Sequence, residues 1–233
     1  MNGLDWFYDD LKQVGLDFDD AAKVATYDDR QQSDPAADRA VLDRLEVRAG
    51  DQLADIGCGT GLFACEAARR VSRVYAVDIS AAMLARVTSR AAAAGLTNVR
   101  PVHGGFLSFD PGAATLDAIT TKFAFHHLPD FWKAMALVRL NRMLKPGGRL
   151  FLRDVIFSFP PAEAPQAVEQ WIGWMLANTG YTRAEVVTHV RDEHSTFAWI
   201  IEGLLERTGF GLRWSSVDGP TYASYYAEKT RTV

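Results

Sequence analysis

Two cysteines, Cys58 and Cys65, are the only thiols in the 233-residue chain. That is too few for a disulfide framework, and no Cys/His group has zinc spacing, so no metal is expected. Runs of Lys and Arg are missing, and the net charge is −4. The basic footprint of a nucleic-acid binder is therefore absent, and no nucleic-acid partner is expected. No apolar run approaches the roughly 18 residues of a membrane span. Met1 to Asp10 lacks the basic and apolar regions of a secretory leader. Repeats and low-complexity tracts are also missing. The expectation is a cytoplasmic protein without a membrane partner, monomeric or homodimeric.

What is present is ordinary globular composition, with 48% hydrophobic and 23% charged residues, enough for a core in one domain over 1–233. Residues 1–34 stand apart as an acidic, aromatic cap segment in which Leu4, Phe7, Leu11 and Val14 have helical spacing. Asp34-Pro35 reads as a helix start, with Val41, Leu42 and Leu45 facing inward. Strands and helices then alternate. Strands are expected at Gln52 to Ile56, Arg73 to Val77, Val99 to Val102, Leu116 to Phe123 and Arg149 to Phe157. Helices are expected at Leu62 to Val71, Ala81 to Ala94 and Asp130 to Leu144. This order predicts an α/β, Rossmann-like doubly wound sheet. Residues 158–192 break the rhythm as a helical insertion after strand 5, expected to form a lid. A helix from His194 to Thr208 and two strands, about Gly211 to Val217 and Tyr222 to Lys229, close the chain.

Asp55-Ile-Gly-Cys-Gly-Thr-Gly61 lies between a strand and a helix. Gly57, Gly59 and Gly61 permit a sharp turn and close approach of a ligand. The dinucleotide fingerprint G-x-G-x-x-G fails by one residue, because position 62 is Leu. Asp55 would also repel a pyrophosphate, whereas a ligand with a cationic ammonium suits it; the methionine end of S-adenosylmethionine is such a ligand. Asp78 ends the second strand, where an acid accepts hydrogen bonds from both ribose hydroxyls.

These residues resemble class I S-adenosylmethionine-dependent methyltransferases, particularly the small-molecule branch similar to quinone-biosynthesis enzymes. Asp55 to Gly61 resembles motif I, Val77 to Ser80 the ribose motif, Phe123 to Asp130 the segment after the fourth strand, and Leu144 to Leu150 the entry to the fifth. The resemblance covers roughly Val41 to Phe157. It implies a seven-stranded, mostly parallel sheet with an antiparallel last strand, and S-adenosyl-L-methionine as cofactor with S-adenosyl-L-homocysteine as product. Implied cofactor contacts are Asp55, Gly57, Gly59, Gly61, Asp78, Ile79, Gly105, Phe106 and Phe123. One departure is Gly105, which stands where the family often places an adenine-binding Asp. His126, His127 and Asp154, at or near the carboxyl ends of strands 4 and 5, are the catalytic or orienting candidates. Tyr8, Tyr27, Trp171, Trp174 and Met175 are the substrate-contact candidates; His189 and His194 read as structural. The expected activity is methyl transfer to O, N, S or C of a small molecule. A non-catalytic partner subunit with the same fold is the alternative.

Overall fold

The computed structural model describes residues 5–12, 14, 27–28 and 34–233. Asp34 caps helix α1 (Pro35–Arg44) by accepting from the Ala36 amide at 2.8 Å, with Pro35 at the first helical position. Then follow β1 (Gln52–Ile56), α2 (Leu62–Ala68), β2 (Arg73–Asp78), α3 (Ala81–Ala93), β3 (Val99–His103) and β4 (Leu116–Lys122). A 3-10 turn at Phe125–His127 leads into α4 (Asp130–Met143) and β5 (Leu144–Phe157). The insertion consists of a 3-10 turn (Pro161–Glu163), α5 (Ala164–Asn178) and α6 (Arg183–Asp192). The chain ends with β6 (Thr196–Phe197), α7 (Ala198–Arg207), β7 (Phe210–Asp218) and β8 (Tyr222–Lys229).

The main sheet has the order β3-β2-β1-β4-β5-β8-β7, and two-residue β6 pairs separately with the end of β5. Strands β1 to β5 run parallel, while β8 is antiparallel to both β5 and β7. The seven-stranded sheet with a reversed last strand is therefore present. Side-chain alternation along each strand sorts the core onto two faces. On one face, Ala54, Ile56 and Ile119 pack with Trp132, Leu137, Ile201 and Leu205 of α4 and α7. On the other, Leu53, Val74, Ala76 and Ala118 pack with Leu42, Phe63, Ala67 and Val87 of α1, α2 and α3.

Several boundaries differ from the sequence reading. Helix α2 stops at Ala68 rather than Val71. Strand β5 begins at Leu144, not Arg149, because Leu144 already pairs with Leu116 before a register shift absorbs the Pro-Gly-Gly step. The helix expected from His194 starts at Ala198, since Thr196 and Phe197 pair with Ile156 and Phe157. Part of the amphipathic helix expected over Leu4 to Val14 lies outside the described residues; over 5–12 the backbone forms turns instead. Among the described residues, no helix is long and apolar enough to cross a membrane.

Candidate active site

The carboxyl ends of β1, β2 and β4 open onto a cleft with about 800 Å³ of empty space, open to solvent on one side. Ile56, Gly57 and Gly59 form its floor, Asp78 and Ile79 one wall, and Phe123, Ala124 and His127 the opposite wall. The turn after β1 can form only with glycine at 57. Its φ is +73°, and a Cβ there would lie 2.2 Å from that of Ala124. The amides of Gly57 and Cys58 both donate to the Val77 carbonyl, tying the turn to β2.

Asp78 is fixed by two amides: Gly59 N–H donates to Oδ2 at 2.8 Å and Ser80 N–H to Oδ1 at 2.9 Å. Its carboxylate lines the cleft in this fixed orientation. Asp55 lies differently. Strand alternation turns it towards α1 and α2, away from Ile56 and off the cleft wall. Its carboxylate is 2% exposed and accepts from the Thr120 hydroxyl at 2.8 Å. Burial raises its pKa from 3.8 to about 6, against the opposing charge of Lys122 and the Thr120 hydrogen bond. Gly61 is also off the wall, its Cα packed against Val87.

Gly105 and Phe106 line the cleft beside Gly104 and Met83. Asp10 of the cap segment occupies the space a side chain at 105 would need: a Cβ there would lie 2.5 Å from Asp10 Oδ2. That oxygen accepts from the Leu107 amide at 2.6 Å. An acid thus stands near the position where the family's Asp is missing, but it comes from a segment almost a hundred residues away in sequence. Tyr8, Lys12, Val14 and Tyr27 complete the cover. The cap is held by Trp6, Phe7 and Tyr8 clustered on Trp132 of α4, with ring centroids 5.1 to 6.1 Å apart. Such aromatic contacts are worth about 1 kcal/mol each beyond their area. Asp28, also from the first 34 residues, binds Thr60 of the glycine loop and Arg90 of α3.

Phe123 sits at the end of β4 with φ +55°, a left-handed conformation that is costly for a side chain of this size. Its amide donates to the Arg153 carbonyl at 2.8 Å, and its ring meets Tyr222 edge-on. Trp171 and Met175 do not reach the cleft. They form the insertion's own core with Val155, Ile172 and Val186, and Trp171 donates to the Tyr222 hydroxyl at 3.0 Å. Trp174 is half-exposed and also off the cleft wall. The insertion touches the cleft wall through Phe123 and Tyr222 rather than through its tryptophans.

Of the three catalytic candidates, only His127 lines the cleft. Asp154 is 2% exposed and binds the amides of Phe125, His126 and Val155 as well as His126 Nδ1. It therefore builds the turn that carries both histidines. His126 Nε2 lies 3.2 Å from Glu193 Oε2, and that carboxylate is also bound by His189 Nδ1. Burial alone would lower the His126 pKa, but Asp154 and Glu193 outweigh it and raise the ring to about 9. His127 moves the other way, to about 3, through burial and then the charge of His126. The sequence reading missed Glu193, and it took His189 as structural; only the His189-x-x-x-Glu193 spacing, one helical turn, could have paired them.

A family profile described as a methyltransferase domain matches residues 53–148. An uncharacterized methyltransferase of Geobacillus kaustophilus is 25% identical over 218 residues, covering 87% of this chain and 98% of that one. A demethylmenaquinone methyltransferase of Shouchella clausii is 33% identical over 112 residues, but the chain spans only 47% of its length and the match covers 47% of this chain. Among solved structures, an S-adenosylmethionine-dependent methyltransferase from Aquifex aeolicus superposes with a TM-score of 0.65 at 21% identity, covering 90% of this chain and 98% of that one.

Proposed function

We propose that this chain is an S-adenosylmethionine-dependent methyltransferase and that it methylates a small-molecule acceptor held above the cleft between Phe123 and the cap segment. The observation that carries the reading is the joint placement of the glycine turn and Asp78 in one cleft, bonded to each other through the Gly59 amide.

The residues present fit the donor. Asp78 offers acceptors for ribose hydroxyls. Gly57 and Gly59 let backbone approach without a side chain between. Ile79, Met83 and Phe106 supply apolar surface for a flat heterocycle, with Asp10 as an acceptor beside Gly105. Asp55 places a buried negative charge behind the floor, which favours an ammonium in the cleft. When bound, S-adenosylmethionine supplies an electrophilic methyl group on a sulfonium sulfur. Apolar Ile56, Phe123 and Leu128 and the cap exclude water, favouring dispersal of positive charge. His127 lines the cleft and, neutral with its pKa lowered to about 3, can accept a hydrogen bond from the acceptor. His126 and Asp154 position it.

The test is incubation of the purified protein with methyl-labelled S-adenosylmethionine and a fractionated metabolite extract. Label in a small-molecule fraction is expected. Label found only in macromolecules, or in no fraction, contradicts this proposal.

A further inference from the structure

Three imidazoles, of His126, His127 and His189, crowd two buried carboxylates, Asp154 and Glu193, where the turn after β4 meets the end of α6. The rings of His126 and His127 have centroids 4.2 Å apart, and those of His126 and His189 4.7 Å. One donor atom from each of His126, His127 and Glu193 lies within 4.8 Å of the others. We propose that His126, His127 and Glu193 form a binding site for a divalent first-row transition ion of the Zn²⁺ or Fe²⁺ class.

Four features support it. The first is ligand type: two imidazoles and one carboxylate suit such ions, and three protein ligands leave a position open for an exchangeable one. The second is spacing. Metal–ligand bonds of about 2 Å place tetrahedral donors about 3.3 Å apart. His126 Nε2 and Glu193 Oε2 already stand 3.2 Å apart. The third is the outer shell. Asp154 takes His126 Nδ1, the arrangement that aims the other ring nitrogen of a metal-binding histidine. The fourth is charge. A divalent ion would stand as counter-charge to Asp154 and Glu193, two desolvated carboxylates that His126 and His189 now partner.

His127 belongs both to this cluster and to the cleft wall, so the ion would stand at the inner end of the cleft. Glu193 follows α6, so the ion would also pin the insertion to the turn after β4. The site itself does not depend on the methyl-transfer reading.

The experiment uses the full chain, stripped with chelator and titrated with Zn²⁺ by calorimetry and with Co²⁺ by visible absorption. Fe²⁺ is added under anaerobic conditions. One equivalent per chain is expected, with Co²⁺ d–d bands and a higher melting temperature in excess Zn²⁺. Glu193→Gln should weaken binding at least a hundredfold, and Asp154→Asn about ten- to a hundredfold. The exposed control Glu169→Gln should bind as wild type. No stoichiometric binding of any of the three ions by the wild type overturns the proposal; so does equal binding by Glu193→Gln. Calorimetry with S-adenosylhomocysteine on the stripped wild type separates the two questions: donor affinity retained without metal leaves the methyltransferase reading standing whichever way the metal result falls.

Discussion

Asp55 is held buried at a cost, and Asp55→Asn measures that cost. Folding raises its carboxyl pKa from 3.8 to about 6, chiefly through burial. At about 1.4 kcal/mol per tenfold in proton affinity, the ionised group costs the folded protein about 3 kcal/mol. The sign follows from proton uptake. Between pH 4 and pH 6 the folded chain holds a proton that the unfolded chain has released, so stability falls as pH rises through that window. Above it the full penalty applies. Asparagine carries no charge, and its carbonyl can still accept from the Thr120 hydroxyl, 2.8 Å from the carboxylate it replaces. Asp55→Asn should therefore be nearly neutral near pH 4 and stabilising by about 3 kcal/mol at pH 8. For a chain of this size that is a rise of about 6 to 12 °C in melting temperature. Urea unfolding at pH 4.5, 6 and 8 reads it. A gain independent of pH, or a loss of stability at pH 8, refutes the reasoning. The same variant should bind S-adenosylhomocysteine roughly tenfold more weakly, because the charge serves the ligand through the floor of the cleft. Unchanged affinity would leave Asp55 without that role.

Two further substitutions test the frame of the site. Gly57→Ala meets both a left-handed backbone and the Ala124 methyl at 2.2 Å, so it should cost about 2 to 5 kcal/mol in urea unfolding. Adding Ala124→Gly should recover about half, since it removes the overlap but not the φ penalty; no recovery would mean the overlap is not the cause. In the insertion, Trp171→Ala should destabilise by about 3 to 5 kcal/mol and Trp174→Ala by under about 1, because the first is buried on Tyr222 and the second is half-exposed. Equal losses in thermal unfolding would contradict that assignment.

What was legible in the sequence was local. The glycine turn, Asp78, the Ser80 cap on Met83 and the Asp34-Pro35 start each rest on residues a few positions apart, where spacing and chemistry speak together. The doubly wound, mostly parallel sheet follows from the alternation of strands and helices. What escaped depends on contacts distant in sequence. Asp10 bonds Leu107 across 97 positions, so no local pattern could place it beside Gly105. Glu193 reaches His126 only after the whole insertion has folded back. The Trp171, Trp174, Met175 stripe shows why helical spacing is ambiguous: periodicity marks a helix and its apolar face, not what that face packs against. Here two of the three face α6 and β5 and one faces solvent. Asp55 is subtler. The motif names it as the acid suited to a ligand's ammonium, but strand alternation decides that it faces α1 and α2.

The central claim is that the cleft between Gly57 and Asp78 takes an adenosyl sulfonium rather than a dinucleotide. Calorimetry of the wild type and Asp78→Ala with S-adenosylmethionine, S-adenosylhomocysteine and NAD tests it most directly. One site is expected for the first two ligands, none for NAD, and an affinity loss of at least tenfold in Asp78→Ala. Tight NAD binding without a response to S-adenosylmethionine, or full affinity in Asp78→Ala, would contradict it.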